Sequence, residues 1–146
     1  MNYSYWEQKE WFLQNDFVVV GSGIVGLNCA LHLKKKYPKS KVLILEKGAL
    51  PQGASTKNAG FACFGSASEL LDDLKSHTEE EVASLAQKRW KGLQALRHTL
   101  GDTSIDYQQS KGHELFLDSK LFTTCAENIT FLDKLLQPVF KEKVFL

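Results

Sequence analysis

Three glycines stand at the spacing of a turn that binds a dinucleotide. The run FVVVGSGIVG, residues 17–26, places Gly21, Gly23 and Gly26 directly after four apolar residues. In this pattern the first glycine permits a tight turn, the second lets the backbone approach a pyrophosphate, and the third lets a helix pack close to the strand. The N–H groups at the start of that helix then face the anion. Because glycines are common, the pattern alone is weak evidence for dinucleotide binding, and the residues around it decide whether that interpretation holds.

A single acid follows where this chemistry requires one. Glu46 comes about 20 residues after the third glycine, where a carboxylate accepts hydrogen bonds from the ribose hydroxyls of an adenosine. An acid here also repels a 2′-phosphate, which disfavours NADP. The alternative is that Glu46 merely ends a strand and that Lys47 solvates it.

These residues need a strand, a helix and a second strand to position them. Residues 16–20 carry a β-branched run without polar alternation, which predicts a strand buried on both faces of a parallel sheet. Apolar residues return at helical spacing over 24–37, and Pro38 ends that helix. Residues 42–45 predict a second buried strand, paired in parallel with the first. The predicted fold class is α/β: a Rossmann-like FAD/NAD(P)-binding fold whose N-terminal βαβ unit is followed by helices.

The remaining elements are predicted from caps and periodicity. Residues 4–13 predict a short leading helix that packs through Trp6, Phe12 and Leu13, and 114–117 predict a strand. A helix with an apolar stripe ends at Gly101, and the final helix meets Pro138. Capping-box pairs predict helices that begin near residues 67, 79 and 125: Ser66 with Glu69, Thr78 with Glu81, and Thr124 with Glu127.

Composition favours a small partner. The 18 Lys and Arg residues nearly balance 17 Asp and Glu residues, so no basic footprint for nucleic acid stands out. No apolar run is long enough for a membrane span, and the N-terminus lacks a secretory pattern, so we expect a cytoplasmic protein. The four histidines and three cysteines lack metal-ligand spacing, so no metal site is expected. We expect Cys29, Cys63 and Cys125 to be packed thiols; a redox-active or flavin-linked Cys63 is the alternative.

The loop that follows Glu46 favours FAD over NAD. In GASTKNAGFACFG, residues 53–65, Ser55, Thr56 and Asn58 can hydrogen-bond phosphate or ribityl oxygens. Ala59 and Gly60 leave room for a flat ring system against the backbone. A nicotinamide-binding domain of this fold has no usual reason to place such a loop here.

The motifs together resemble a known family. FVVVGSGIVGLNCALHL, LEKG and GASTKNAGF, all within residues 16–65, are similar to the N-terminal part of FAD-dependent oxidoreductases of the D-amino-acid oxidase type, which include glycine and sarcosine oxidases. Beyond residue 65 the resemblance is looser. It implies that the chain binds FAD through these residues: the pyrophosphate at Gly21, Ser22, Gly23, Ile24 and Gly26, the adenosine ribose at Glu46 and Lys47, and the diphosphate and flavin at Ser55, Thr56, Asn58, Ala59 and Gly60.

The resemblance also implies a chemistry that this chain does not complete. Members of the family transfer a hydride from a carbon–nitrogen bond of an amino acid or amine to FAD, often with oxygen as the acceptor. Their substrate-binding residues lie in later sequence, so we assign no catalytic residue. We expect a truncated chain, with a flavin-binding unit at 1–66 and the start of a substrate domain at 67–146, inactive alone.

Two other functions remain open. The chain could be a small NAD-binding regulatory domain of Rossmann-like fold, for which residues 58–60 would be dispensable. Alternatively, it could be a non-catalytic interaction subunit that a second chain completes by supplying the missing C-terminal part.

Overall fold

A computed structural model describes residues 3–145, and the chain divides into two compact units. The first unit is Met1–Phe61 and the second is Ala62–Leu146. The first contains both strands of the described residues, and the second is built from helices. The chain is therefore a mixed helix and strand protein.

The first unit is built around a strand, a helix and a strand. Strand β1 is Phe17–Val20, helix α2 is Ile24–Lys36 and strand β2 is Val42–Leu45. The strands pair in parallel, with Phe17 opposite Val42 and Val20 opposite Leu45. Helix α2 contacts both strands. The predicted strand–helix–strand order and parallel pairing are confirmed, and this arrangement is consistent with a Rossmann-like unit.

The prediction that both strands are fully buried is wrong. The side chains of Val18 and Val20 are 53% and 85% exposed, whereas Phe17 and Val19 are half-buried. β-Branched residues are enriched in strands because their stiff side chains suit a pleated, half-buried surface, and that enrichment does not require both faces to be covered. The valine run therefore predicted the strand correctly but not its burial.

The N-terminal segment is helical, as predicted, but packs differently. Helix α1 is Tyr5–Glu7, and a π-helical turn follows at Gln8–Phe12. Ser4 and Glu7 close a capping box at its start. Phe12 packs against Tyr3 with ring centroids 4.7 Å apart. Against expectation, the side chains of Trp6 and Leu13 are exposed, because the described elements place no apolar face over them.

Three helices form the second unit and enclose its core. They are α3 at Ala67–Asp73, α4 at Glu79–Leu100 and α5 at Ser119–Phe140. Leu132 and Leu136 have no exposed side-chain surface. Only part of the predicted α4 stripe is covered: Val82 and Ala86 are buried, while Leu85, Leu96 and Leu100 are exposed. The buried core residues of this unit are Ala67, Leu70, Val82, Ala86, Cys125, Leu132 and Leu136.

Two of the three predicted capping boxes are confirmed. Ser66 and Thr78 each accept a hydrogen bond from the backbone three residues on, and each box is closed by its glutamate. Gly101, with φ +81°, ends α4 as expected. The third predicted box is wrong, because α5 begins at Ser119 with Asp118 as its N-cap. Thr124 lies inside the helix, where its hydroxyl donates to the Lys120 carbonyl.

One further prediction in the second unit is wrong. Residues 114–117 form no strand in the structure, because their backbone groups pair with no second strand among the described residues. Helix α5 reaches Pro138, as predicted, and continues to Phe140. Within residues 3–145, we find no helix with the length and apolar character of a membrane span.

Candidate cofactor site

The turn between β1 and α2 needs its glycines for shape. Gly21 has φ +95°, a backbone conformation that favours glycine. Its N–H donates to the Leu45 carbonyl at 2.7 Å, which ties the turn to the end of β2. A Cβ atom on Gly26 would lie 2.0 Å from the Gly21 carbonyl oxygen and 3.4 Å from Val19 Cγ1. Helix α2 therefore packs closer to the turn than any side chain at residue 26 would permit.

The N-terminus of α2 faces a serine hydroxyl from the following loop. Gly23 is the N-cap and supplies no side chain. The Ile24 N–H donates to Ser55 Oγ at 2.9 Å, and a Cβ on Gly23 would meet that oxygen at 3.0 Å. The first N–H groups of a helix have no intrahelical acceptor, and together with the helix dipole they favour an anion. An oxygen acceptor already lies where an anion would be bound.

Glu46 lies directly against the glycine turn. One of its carboxylate oxygens, Oε2, accepts the Ser22 N–H at 2.8 Å and the Ser22 hydroxyl at 2.7 Å. The other, Oε1, accepts the N–H groups of Lys47 and Gly48 at 3.0 and 3.4 Å. Hydrogen bonds from Ser22, backbone first and then side chain, lower the pKa of Glu46 to about 2. The group is therefore a carboxylate at neutral pH.

The loop at Gly53–Gly60 uses its polar side chains to hold its own backbone. The Thr56 hydroxyl donates to the carbonyls of Pro51 and Gly53, both at 3.2 Å. The Asn58 amide donates to the Ser55 carbonyl at 3.0 Å and accepts the Gly60 N–H at 2.8 Å. This loop includes a short 3-10 turn, Ala54–Thr56. The loop has a definite shape, and its Ser55 hydroxyl points at helix α2.

The predicted residues therefore fall into two groups. The structure brings the first group together around the turn: Gly21, Ser22, Gly23, Ile24, Gly26, Glu46 and Ser55. Lys47 joins this group only through its backbone N–H. The side chains of Thr56 and Asn58 bond within the loop, and Ala59 and Gly60 are exposed beside them. Their contact with a cofactor stays a prediction.

Sequence reasoning missed two features of this site. The first is the pair of bonds from Ser22 to Glu46, and the second is the Gly48 N–H on the same carboxylate. The middle residue of a GxG turn carries no spacing signal of its own. The structure alone shows that its hydroxyl lies within reach of the acid.

Two cysteines depart from the packed environment that was predicted. Cys29 on α2 and Cys63 after the loop are both exposed, because neither faces a covered side of its unit. Cys125 is buried in the second unit, as expected, and burial raises the pKa of its thiol.

Comparison with protein families decides the assignment. The model of the FAD dependent oxidoreductase family matches residues 16–134. The chain belongs to this family. The match includes both strands, the glycine turn, Glu46 and the Ser55 loop. The family depends on FAD, and FAD rather than NAD is therefore the cofactor of this chain.

One curated relative shares part of the chain. The chloroplastic thiamine thiazole synthase of Chlamydomonas reinhardtii is 32% identical over 87 residues. That alignment covers 56% of this chain and 24% of the relative. The chain therefore matches about a quarter of the length of that protein. No solved structure matches the chain.

The residues around the turn fit the adenosine diphosphate half of FAD. At Gly23 the nearest atom to a Cβ position is the Ser55 hydroxyl oxygen at 3.0 Å, so only a rotatable side-chain oxygen lies where phosphate oxygens would approach the backbone. The N–H groups at the start of helix α2 can donate to the diphosphate, and the ionised Glu46 can accept from a ribose hydroxyl in exchange for one of its present donors. Donors and acceptors thus match the two ends of that half of the cofactor.

Proposed function

We propose that the first unit binds the adenosine diphosphate half of FAD at the β1–α2 turn. In this proposal the N–H groups of Gly23 and Ile24 donate to the pyrophosphate, and Glu46 accepts from the ribose. Gly21 and Gly26 shape the turn, and Ser22 and Lys47 flank the carboxylate. The observation that carries the proposal is the contact of Glu46 with the turn, at 2.7 and 2.8 Å from Ser22.

The loop is proposed to continue the site toward the flavin. Ser55 would exchange its bond with Ile24 for one to a phosphate oxygen, while Thr56 and Asn58 keep the loop in shape. Ala59 and Gly60, both small and exposed, leave the backbone open to a flat ring. We accordingly propose residues 1–66 as the flavin-binding part and residues 67–146 as the start of a substrate domain.

The proposed reaction of the complete protein is oxidation of a carbon–nitrogen bond in an amino acid or amine. Bound FAD supplies the hydride acceptor for such chemistry. This chain's own residues contribute binding: the turn fixes the adenosine end, and the loop orients the ring end. The family membership supports an oxidoreductase. The amino acid or amine as substrate, oxygen as acceptor and any second chain are parts of the proposal.

FAD binding is tested by titration with a matched pair of carboxylate variants. Glu46→Gln replaces the two acceptor oxygens of the carboxylate with one acceptor oxygen and one NH₂ donor. The amide therefore cannot accept hydrogen bonds from ribose hydroxyls at both positions. We expect its FAD affinity to fall at least tenfold, since hydrogen bonds to charged groups contribute about 1.5–3 kcal/mol. Glu114→Gln is the control, because Glu114 also accepts from serines but lies in the second unit. Equal FAD affinity of both variants and the wild type would contradict the proposed site.

The substrate class is tested on the natural gene product loaded with FAD. Under anaerobic conditions, an amino acid or amine should bleach the visible flavin absorption, while 2-hydroxy acids should not. If only hydroxy acids bleach the flavin, or if none of these compounds does, the carbon–nitrogen proposal is overturned. Neither result would contradict the proposed FAD site.

A second candidate is formation of the thiazole of thiamine, which the 32% identity to the algal synthase favours. It would be supported by a thiazole product detected by mass spectrometry in the purified protein. The absence of this product, together with amine-dependent bleaching, would reject it.

A further inference from the structure

The acceptor positions of Glu46 are fully used inside the protein. A carboxylate has two oxygens and about four lone-pair sites. Ser22 occupies Oε2 with its N–H and its hydroxyl, and the N–H groups of Lys47 and Gly48 occupy Oε1. A ribose hydroxyl that donates to Glu46 must therefore displace one of these four donors.

The Ser22 hydroxyl is the donor that can leave. The other three donors are backbone N–H groups, whose positions are fixed by the turn and by the residues after β2. The hydroxyl can rotate about the Cα–Cβ bond of Ser22 without moving the backbone. It is also an O–H group at 2.7 Å, the same kind of donor that a ribose presents.

We propose that the Ser22 hydroxyl is an internal competitor of the adenosine ribose for Glu46 and so sets the affinity of this chain for FAD. The inference rests on the proposed function of the turn. Three N–H donors remain on Glu46 when the hydroxyl is absent, so the carboxylate stays in place. Removal of the hydroxyl therefore frees an acceptor without releasing the acid.

The test compares two nucleotides that differ only in the ribose hydroxyls. ADP and 2′,3′-dideoxy-ADP are titrated calorimetrically into the wild type, Ser22→Ala and Ser22→Thr. Ser22→Ala should bind ADP about tenfold more tightly, because one bond to a charged acceptor no longer has to be broken. Its affinity for dideoxy-ADP should equal that of the wild type. Ser22→Thr keeps a hydroxyl on the same carbon and should therefore not show the gain in ADP affinity that Ser22→Ala shows.

Ser40→Ala is the control for loss of a serine hydroxyl in the same unit. Its hydroxyl donates to the Tyr37 carbonyl at the other end of α2. This variant should bind both nucleotides like the wild type. Circular dichroism of all variants confirms that each is folded before titration.

The outcomes separate this inference from the proposed function. Unchanged or weaker ADP binding by folded Ser22→Ala, while the wild type binds ADP, overturns the competitor role alone. An equal gain for ADP and dideoxy-ADP also overturns it, since the ribose would then be irrelevant. If the folded wild type and every variant bind neither ADP nor FAD, the proposed site fails, and the competitor role fails with it.

Discussion

Gly26→Ala tests the close contact of helix α2 with the glycine turn. The added Cβ would lie 2.0 Å from the Gly21 carbonyl oxygen, whereas ordinary contacts begin at 3.4 Å, so the two segments must separate by 1.4 Å. Overpacking costs about 1–3 kcal/mol, and alanine returns about 1 kcal/mol of helix propensity. Because the clash is with backbone, we take the upper end of the overpacking cost and expect the free energy of unfolding of the first unit to fall by about 2 kcal/mol.

Hydrogen exchange read by mass spectrometry measures this loss within the first unit. A loss of about 2 kcal/mol should make amides of β1 and α2 exchange about thirtyfold faster. Gly92→Ala is the matched helical control, since no atom lies within 4 Å of its added Cβ, and it should slow exchange in α4. Gly53→Ala, equally open, is the control inside the first unit. Exchange in Gly26→Ala as slow as in the wild type would refute the close-contact account.

Three further predictions concern charge, capping and core packing. The pKa of Glu46 falls from 4.5 to about 2 on folding, so its contribution to stability is complete above pH 4.5 and disappears as the pH falls toward 2. Acid titration of unfolding should therefore show a shallower pH dependence in Glu46→Gln than in the wild type. Thr78→Ala should destabilise α4 by about 1 kcal/mol in urea unfolding, because it removes an N-cap, whereas Thr124→Ala should be nearly neutral. A similar loss in both variants would contradict the assigned start of α5. Leu132→Ala, at a position with no exposed surface, should cost about 2–5 kcal/mol, and a loss below 1 kcal/mol would contradict the core assignment.

Local signals in the sequence predicted the first unit well. The glycine spacing, the valine run and Pro38 each act over a few residues, and together they gave β1, α2 and β2 within one or two residues at each end. The capping boxes at Ser66 and Thr78 succeeded for the same reason. In both capping boxes the side chains that give the signal also make the hydrogen bonds.

The predictions that failed have two causes: a helix start closer to the N-terminus than expected, and contacts between residues far apart in the sequence. Thr124 and Glu127 have the spacing of a capping box, but α5 already continues through them from Ser119. The exposure of Val20 is set by what other elements cover, which a strand pattern does not encode. Likewise, the bond between Ser22 and Glu46 joins residues 24 positions apart and has no motif.

Retention of FAD by the purified chain tests the central claim most directly. The chain is incubated with FAD and passed through gel filtration, and the visible absorption of the protein peak is recorded. Gly23→Val serves as the comparison, because its side chain enters the space in front of α2, where a Cβ would already lie 3.0 Å from Ser55 Oγ. We predict a flavin spectrum that elutes with the wild type and is absent from folded Gly23→Val. A folded wild type without flavin, or equal retention by both proteins, would contradict the claim that this turn holds the cofactor.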